Sequence, residues 1–343
     1  MKAKSIRLEV SKDRIISDLR RIGVKEGDHV AVALSLKSIG YVKGGPEAFI
    51  DALLEAVGPN GTIMMNTHTR SWIVSDIASD YIFDYRSTST WTGLVPETFR
   101  KRRNSIRSKH PRFSVTVIGK LAKILTEGHD ENSSFYMPFS KLAKVDGKYL
   151  SIGIGNRLVA IRHEAQHLAG LFDVVPMFLG VKYRDNEGKV KIYIANRPPC
   201  TIKFPDLVPV LRKKGVVKTG RIGMAYSILA PAKDLIDVMA EMLRKKPTLN
   251  LCANMGCLWC REAERRMNLH GNIENPQCFQ KSILMIKTIA LINRFRLKKF
   301  SFVSFRSRKG KFARRKESRE SFLLREILEI PRLLYLMVWE IYH

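Results

Sequence analysis

HVAVALSLKSIGYVKGGPEAFIDALLEAVGPNGTIMMNT, residues 29–67, is the stretch on which the fold turns. Residues 29–36 form a short apolar run of strand character, 46–57 repeat apolar residues at helical spacing, and 61–67 are apolar again. Strand, helix and strand in so short a span predict an α/β domain with helices packed on a sheet. The helix is well punctuated. Gly44 and Gly45 allow a tight entry, Pro46 suits the first turn, Phe49, Ile50, Leu53, Leu54 and Val57 share one face, and Gly58-Pro59 ends it. Its N-terminus is open to an anion.

The same alternation continues outward from this stretch, with a helix expected over VPETFRKRR (95–103), a strand over YLSIGIG (149–155) and a helix at 162–170. After residue 245 the character changes. A cysteine-rich segment occupies 246–292 and a basic, amphipathic tail 293–343, so the organisation reads as an α/β domain (1–245) with a C-terminal extension. Within the tail, residues 294–319 hold twelve Lys or Arg against one Glu, with Phe295, Phe300, Phe302, Phe305 and Phe312 interleaved. That mixture suits peripheral contact with an anionic membrane, and less well nucleic acid, against the alternative of a solvated tail.

Composition bounds the possibilities. The 343 residues are 45% apolar and 27% charged, enough for a sizeable core, and the formal net charge of +28 predicts attraction to an acidic partner. The first residues lack an apolar stretch of signal-peptide length, and no run reaches the roughly 18 apolar residues of a membrane span, so a cytoplasmic protein is expected. Five cysteines, four of them between Cys252 and Cys278, fit a reducing compartment.

Several blocks in order resemble one family. SLKSIGYVKGGPEAFIDALLEAVGPNGTIMMNTHT (35–69) is similar to the opening motif of the aminoglycoside 3-N-acetyltransferases, and WTGLVPETFRKRRNSIRSKHPRFSVTVIGK (91–120) is similar to their second signature. KLAKVDGKYLSIGIG (141–155) and GVVKTGRIGMAYSIL (215–229) resemble two later blocks, so the likeness spans roughly residues 10–245. It implies a central mixed sheet flanked by helices, acetyl-CoA as co-substrate and a small-molecule amine as acceptor.

The resemblance also implies site residues. The loop with Ser35, Leu36, Lys37, Ser38, Ile39, Gly40, Val42, Gly44 and Gly45 would cradle the cofactor, because a glycine-rich turn feeding a helix start offers unpaired N–H groups. Arg107, Ser108, His110 and Ser114 of the second signature would add charge and hydrogen bonds for its phosphates. Setting Gly153 and Gly155 on the family's glycines places His163 on its catalytic histidine, where a base of near-neutral pKa accepts the proton of the attacking amine. Gln166 falls on the family's glutamate, Arg157 on its aspartate and Val159-Ala160 on its Asn-Thr. A glutamine still bonds an imidazole but does not stabilise imidazolium as a carboxylate does; Glu164, Asp173 or Asp206 could compensate. Loss of these anions on a basic chain leaves room for an acidic acceptor such as a nucleotide-linked amino sugar, or for a non-catalytic relative that binds through its tail.

Two metal patterns compete. HEAQHLAGLFD (163–173) fits a zinc-hydrolase pattern in which two histidines one turn apart bind metal and a glutamate activates water. Cys252, Cys257, Cys260 and Cys278 could hold a structural zinc in a tetrahedron, against the alternative of buried free thiols.

Overall fold

The computed structural model describes residues 9–69, 81–171, 175–197 and 207–251, together with Cys260 and Glu264. The chain divides into two compact units, Met1–Ser282 and Ile283–His343. Every described residue belongs to the first. The expectations placed on Cys252, Cys257, Cys278, Asp173, Asp206 and the tail at 293–343 lie outside the described residues.

The expected strand–helix–strand unit is present as β2 (His29–Leu34), α3 (Gly45–Val57) and β4 (Thr62–Asn66). Before it come β1 (Glu9–Val10) and α1 (Lys12–Ile22); within it a single turn, α2 (Leu36–Ile39), precedes β3 (Tyr41–Val42), which pairs in parallel with β1. Downstream lie α4 (Leu94–Arg100), β5 (Ile106–Arg107), β6 (Val115–Gly119), α5 (Ala122–Thr126), α6 (Met137–Lys144), β7 (Lys148–Ile152) and α7 (Ile161–Leu168). A hairpin of β8 (Val175–Arg184) and β9 (Val190–Arg197) follows, then α8 (Val208–Lys213), β10 (Lys218–Ile222), β11 (Ala225–Pro231) and α9 (Ala232–Lys245).

Seven strands form one mixed sheet in the order β10-β11-β7-β2-β4-β6-β5. Its centre, β7-β2-β4, is parallel, and every other pairing is antiparallel. Successive side chains point to opposite faces, and the core divides accordingly. Val30, Val32, Ile63, Met65, Leu150, Ile152 and Leu229 join the layer made with α1, α3 and α4, whereas Ala31, Ala33, Met64, Tyr149, Ile228 and Ala230 join the layer made with α6, α7 and α9. Each fully buried aliphatic side chain of this kind contributes about 1.5–3 kcal/mol. The central strands therefore read as continuous apolar runs.

Two loops cross at the carboxyl ends of β2 and β7. The Ser38 hydroxyl bonds the Gly153 carbonyl at 2.9 Å and the Ser35 N–H bonds the Ile152 carbonyl at 2.9 Å. Gly153 has φ +66°, and a Cβ there would stand 2.4 Å from Cβ of Ser38. Neither strain nor space permits a side chain.

A second packing feature sits beyond β5 and β6. His110 and His129 lie 4.9 Å apart between ring centroids, both fully enclosed, and His68 packs edge-on to Phe113 at 5.2 Å. Nδ1 of His110 accepts the N–H groups of Arg112 (3.2 Å) and Phe113 (3.1 Å). The Nε2–H of His129 donates to the Phe135 carbonyl at 3.1 Å, while its Nδ1 accepts the Ser108 hydroxyl at 2.9 Å. Both rings are thus held neutral by geometry. Burial, with Arg112, His129 and Arg107 adding to it, pulls the His68 pKa down to about 3. Burial likewise lowers His129 to about 3 and, with the neighbouring histidines, carries His110 well below its ordinary value.

Two consequences are measurable. Gly153→Ala is expected to destabilise the fold by about 2–3 kcal/mol, read as a lower urea midpoint. The unfolded chain binds protons on these three histidines near pH 6.5, whereas the folded rings bind them only at much lower pH. Stability held by the neutral rings is complete above about pH 6.5 and is lost as pH falls toward 3, by about 1.4 kcal/mol per ring per pH unit. In urea titrations from pH 7 to pH 5, His129→Gln should lessen this decline by about one third; an unchanged slope would remove His129 from the account.

Candidate active site

Because β7, β2 and β4 run parallel, their carboxyl ends open onto one edge of the sheet, the place where open α/β sheets bind ligands. Three loops converge there: residues 35–45 after β2, 66–69 after β4 and 153–160 after β7. The predicted catalytic and cofactor residues, scattered from 35 to 166 in sequence, all lie on these loops, on the start of α7, or on the neighbouring 107–114 segment.

The 35–45 loop divides its residues between two tasks. Lys37 and Gly44 are exposed and Ser35, Leu36, Ser38, Gly40 and Gly45 are half-buried, so these border the crevice. Gly44 caps α3 with φ +80°, and Gly45 follows with φ +61°. Ile39 and Val42 depart from the expectation: both side chains are buried in the layer with α1 and α3, and the Ile39 carbonyl accepts the Met224 N–H at 2.9 Å. Their part is packing, because an apolar residue inside a glycine-rich loop anchors that loop to the core.

The second signature also departs from its expected role. Arg107 sends Nη2 to the Thr67 carbonyl at 2.7 Å, Nη1 to the Thr88 carbonyl and Nε to the Ser114 hydroxyl at 3.1 Å. Burial lowers its pKa to about 10, and Phe83 lies 5.3 Å from the guanidinium carbon. Its donors are spent on backbone carbonyls and not on a phosphate. Ser114 is buried and donates to the Thr67 carbonyl at 2.7 Å; Ser108 is buried between the Val115 N–H and His129; and His110 bonds the Tyr193 hydroxyl at 3.2 Å. These four residues fix the end of β4 and the loops beside it.

His163 lies in the first turn of α7, buried, with Nδ1 at 2.5 Å from the Gln166 amide oxygen. That oxygen accepts, so Nδ1 carries the proton and the basic lone pair belongs to Nε2. The ring stacks on Tyr136, centroids 5.2 Å apart. Just before the helix, Ala160 has φ +67° and ψ −57°, and the Ile161 N–H bonds the Val159 carbonyl at 2.9 Å. This is a strained three-residue turn, and Tyr149 Oη steadies it at 3.0 Å from the same carbonyl. Arg157, which the sequence resemblance sets on an aspartate, is exposed.

The zinc-hydrolase expectation fails on geometry. Glu164 is buried and accepts the Ser140 hydroxyl of α6; burial raises its carboxyl pKa against the opposing pull of that hydrogen bond, while His167 is exposed. The two histidines and the glutamate do not converge, and among the described residues no group of three His, Cys, Asp or Glu could hold a metal. Cys260 is buried. No described helix is long and apolar enough to cross a membrane.

Three residues at this edge went unremarked in the sequence: Asn66, His68 and Tyr136. Asn66 and His68 close an apolar strand, and that change from apolar to polar was the available signal. Nothing local marked Tyr136, which reaches His163 only through the packing of α6 on α7.

Comparison with known proteins places these features. Residues 32–244 match the family model described as aminoglycoside 3-N-acetyltransferase. Aminoglycoside N(3)-acetyltransferase VII of Streptomyces paromomycinus is 27% identical over 266 residues, covering 69% of this chain and 92% of that protein. The crystal structure of aminoglycoside acetyltransferase AAC(3)-IVa superimposes with a TM-score of 0.65 at 26% identity, covering 77% of this chain and all of that one. AAC-VIa bound to sisomicin gives a TM-score of 0.62 at 26% identity over 70% of this chain and 99% of that one.

Proposed function

The chain belongs to the aminoglycoside 3-N-acetyltransferase family and is an acetyltransferase, and on that premise we propose that it moves acetyl from acetyl-CoA to an aminoglycoside amine, with His163 as general base. The observation that carries the assignment is the His163–Gln166 contact at 2.5 Å, on a ring stacked against Tyr136 at the carboxyl edge of the sheet. The 35–45 loop is the cofactor's side of the crevice. Its exposed Lys37 and the start of α3 offer positive charge and N–H groups to phosphate.

In the reaction the amine nitrogen attacks the thioester carbonyl carbon, the carbon–sulfur bond breaks, and CoA leaves as thiolate. His163 takes the amine's proton on Nε2 and returns it to the departing sulfur. Gln166 keeps the other ring nitrogen protonated, so the lone pair stays on the side of the attacking amine. Lacking charge, it gives imidazolium less help than a carboxylate would.

The positions Arg157 and Gln166, basic and neutral where the family is acidic, also admit an amino sugar carrying an acidic group as acceptor. Steady-state turnover with both acceptor classes decides between them. Expression in a susceptible bacterium that raises its tolerance of sisomicin supports the antibiotic.

Three substitutions test the assignment. His163→Ala is expected to lower kcat by roughly 10²- to 10⁴-fold with the fold intact. Gln166→Glu should raise the kinetic pKa of the base by about one unit, moving the acid limb of the kcat/KM profile to higher pH; an unmoved limb would take His163 out of the role of base. Gly45→Trp should abolish acetyl-CoA binding in calorimetry, and binding retained at wild-type affinity would place the cofactor elsewhere.

A further inference from the structure

The chain enters α7 by a route that helices seldom use. A helix ordinarily starts from an extended residue whose side chain caps the first N–H groups. Here the entry residue, Ala160, has φ +67° and ψ −57° and supplies no side-chain cap. A Cβ disfavours this positive-φ conformation, and such residues persist where their surroundings over-determine them.

The surroundings of Ala160 do so. Leu158, Ala160, Ile161 and Ala165 are buried in the layer made with α6 and α9, which encloses the turn. From β7, the Tyr149 hydroxyl reaches across and donates to the Val159 carbonyl at 3.0 Å. The Ile161 N–H donates to the same oxygen at 2.9 Å and closes the three-residue turn. Burial pushes the Tyr149 phenol pKa up, so the hydroxyl keeps its proton and remains a donor near neutral pH.

The turn acts directly on the proposed base. The Ala160 carbonyl accepts the His163 N–H at 2.8 Å, which ties the strained residue to the backbone of His163. The ring is fixed from two further sides, by the Gln166 oxygen at 2.5 Å and by Tyr136, stacked with centroids 5.2 Å apart. Those two contacts set the rotation of the imidazole, whereas the turn sets the place of its Cα. A chain entering through an ordinary extended cap would lay the first turn of α7 along a different line.

We propose that Ala160 and Tyr149 are positioning residues for the reaction: the strained turn, held by the Tyr149 hydroxyl, fixes His163 where its Nε2 meets the attacking amine. This rests on the acetyltransferase function proposed above. Neither residue touches the reacting atoms. Their contribution is preorganisation, and misplacing a reacting group by about 1 Å lowers the rate by up to about 10²-fold. Glycine at 160 adopts positive φ without strain but also many other conformations. It therefore separates two roles, relieving the fold while loosening the base.

The test uses the full chain with acetyl-CoA and sisomicin, following thiol release, beside thermal melts and with His163→Ala as control. Ala160→Gly should lower kcat about tenfold or more and leave both KM values within about twofold, with the melting temperature equal or raised by about 2–4 °C. Tyr149→Phe, which removes only the hydroxyl, should lower kcat similarly. The double variant should fall little further than either single one, because both act through one turn. Unchanged kcat in Ala160→Gly, or a loss of kcat that comes with a lowered melting temperature, would overturn the positioning role while the control, still inactive, leaves His163 as the base. Full activity in His163→Ala, or a wild-type protein that acetylates no amine, would overturn this role together with the function it rests on.

Discussion

The parallel run of β7, β2 and β4 is the constraint from which the site follows. Three strands that point the same way must end at the same edge, so three loops are delivered to one place although the first and last lie over a hundred residues apart in sequence. Their closeness is enforced by sterics at Gly153, where a Cβ would intrude on Ser38, and by the hydrogen bond from the Ser38 hydroxyl to the Gly153 carbonyl. The 35–45 loop and the strand leading to His163 are thereby fixed to each other.

Around that edge, the buried polar side chains serve mainly to hold the protein together. Arg107, Ser108, His110 and Ser114 have the chemistry of a phosphate site, yet their hydrogen bonds run to Thr67, Thr88, Val115 and neighbouring side chains. Their interior environment makes this consistent. A guanidinium that meets several carbonyls inside the protein is paired and cannot also serve a solvent-facing anion, and an imidazole accepting two backbone N–H groups stays neutral. The reward is a rigid strand end. Asn66 Oδ1 and His68 Nε2 differ from these, being enclosed without a hydrogen-bond partner.

His163 illustrates how a departure from a family pattern alters chemistry without dismantling geometry. A glutamine in place of glutamate still fixes the ring and its tautomer through one hydrogen bond, because that task needs only an oxygen lone pair. Stabilising the protonated ring needs charge, and the adjacent residue in the helix, Glu164, turns its carboxyl to Ser140 of α6. Orientation is conserved by shape while charge is not.

The sequence by itself determined the secondary elements and their order. The strand at 29–36, the helix at 46–57 with its glycine entry, and the helix near 162–170 are local matters of periodicity and capping, and each is present within a few residues. It also placed His163 beside Gln166, since a helix brings residues three apart onto one face. Whether a polar residue faces a ligand or a carbonyl is decided by partners distant in sequence, and so only the tertiary structure could show Arg107 to be a clamp, Ile39 and Val42 to be core, and the HEAQH histidines to diverge. The same holds for Tyr136, His68 and Asn66. Tyr136 meets the His163 ring because α6 packs against α7, and Asn66 and His68 share a face through the register of β4 with β6, a relation between strands that no single stretch of sequence contains.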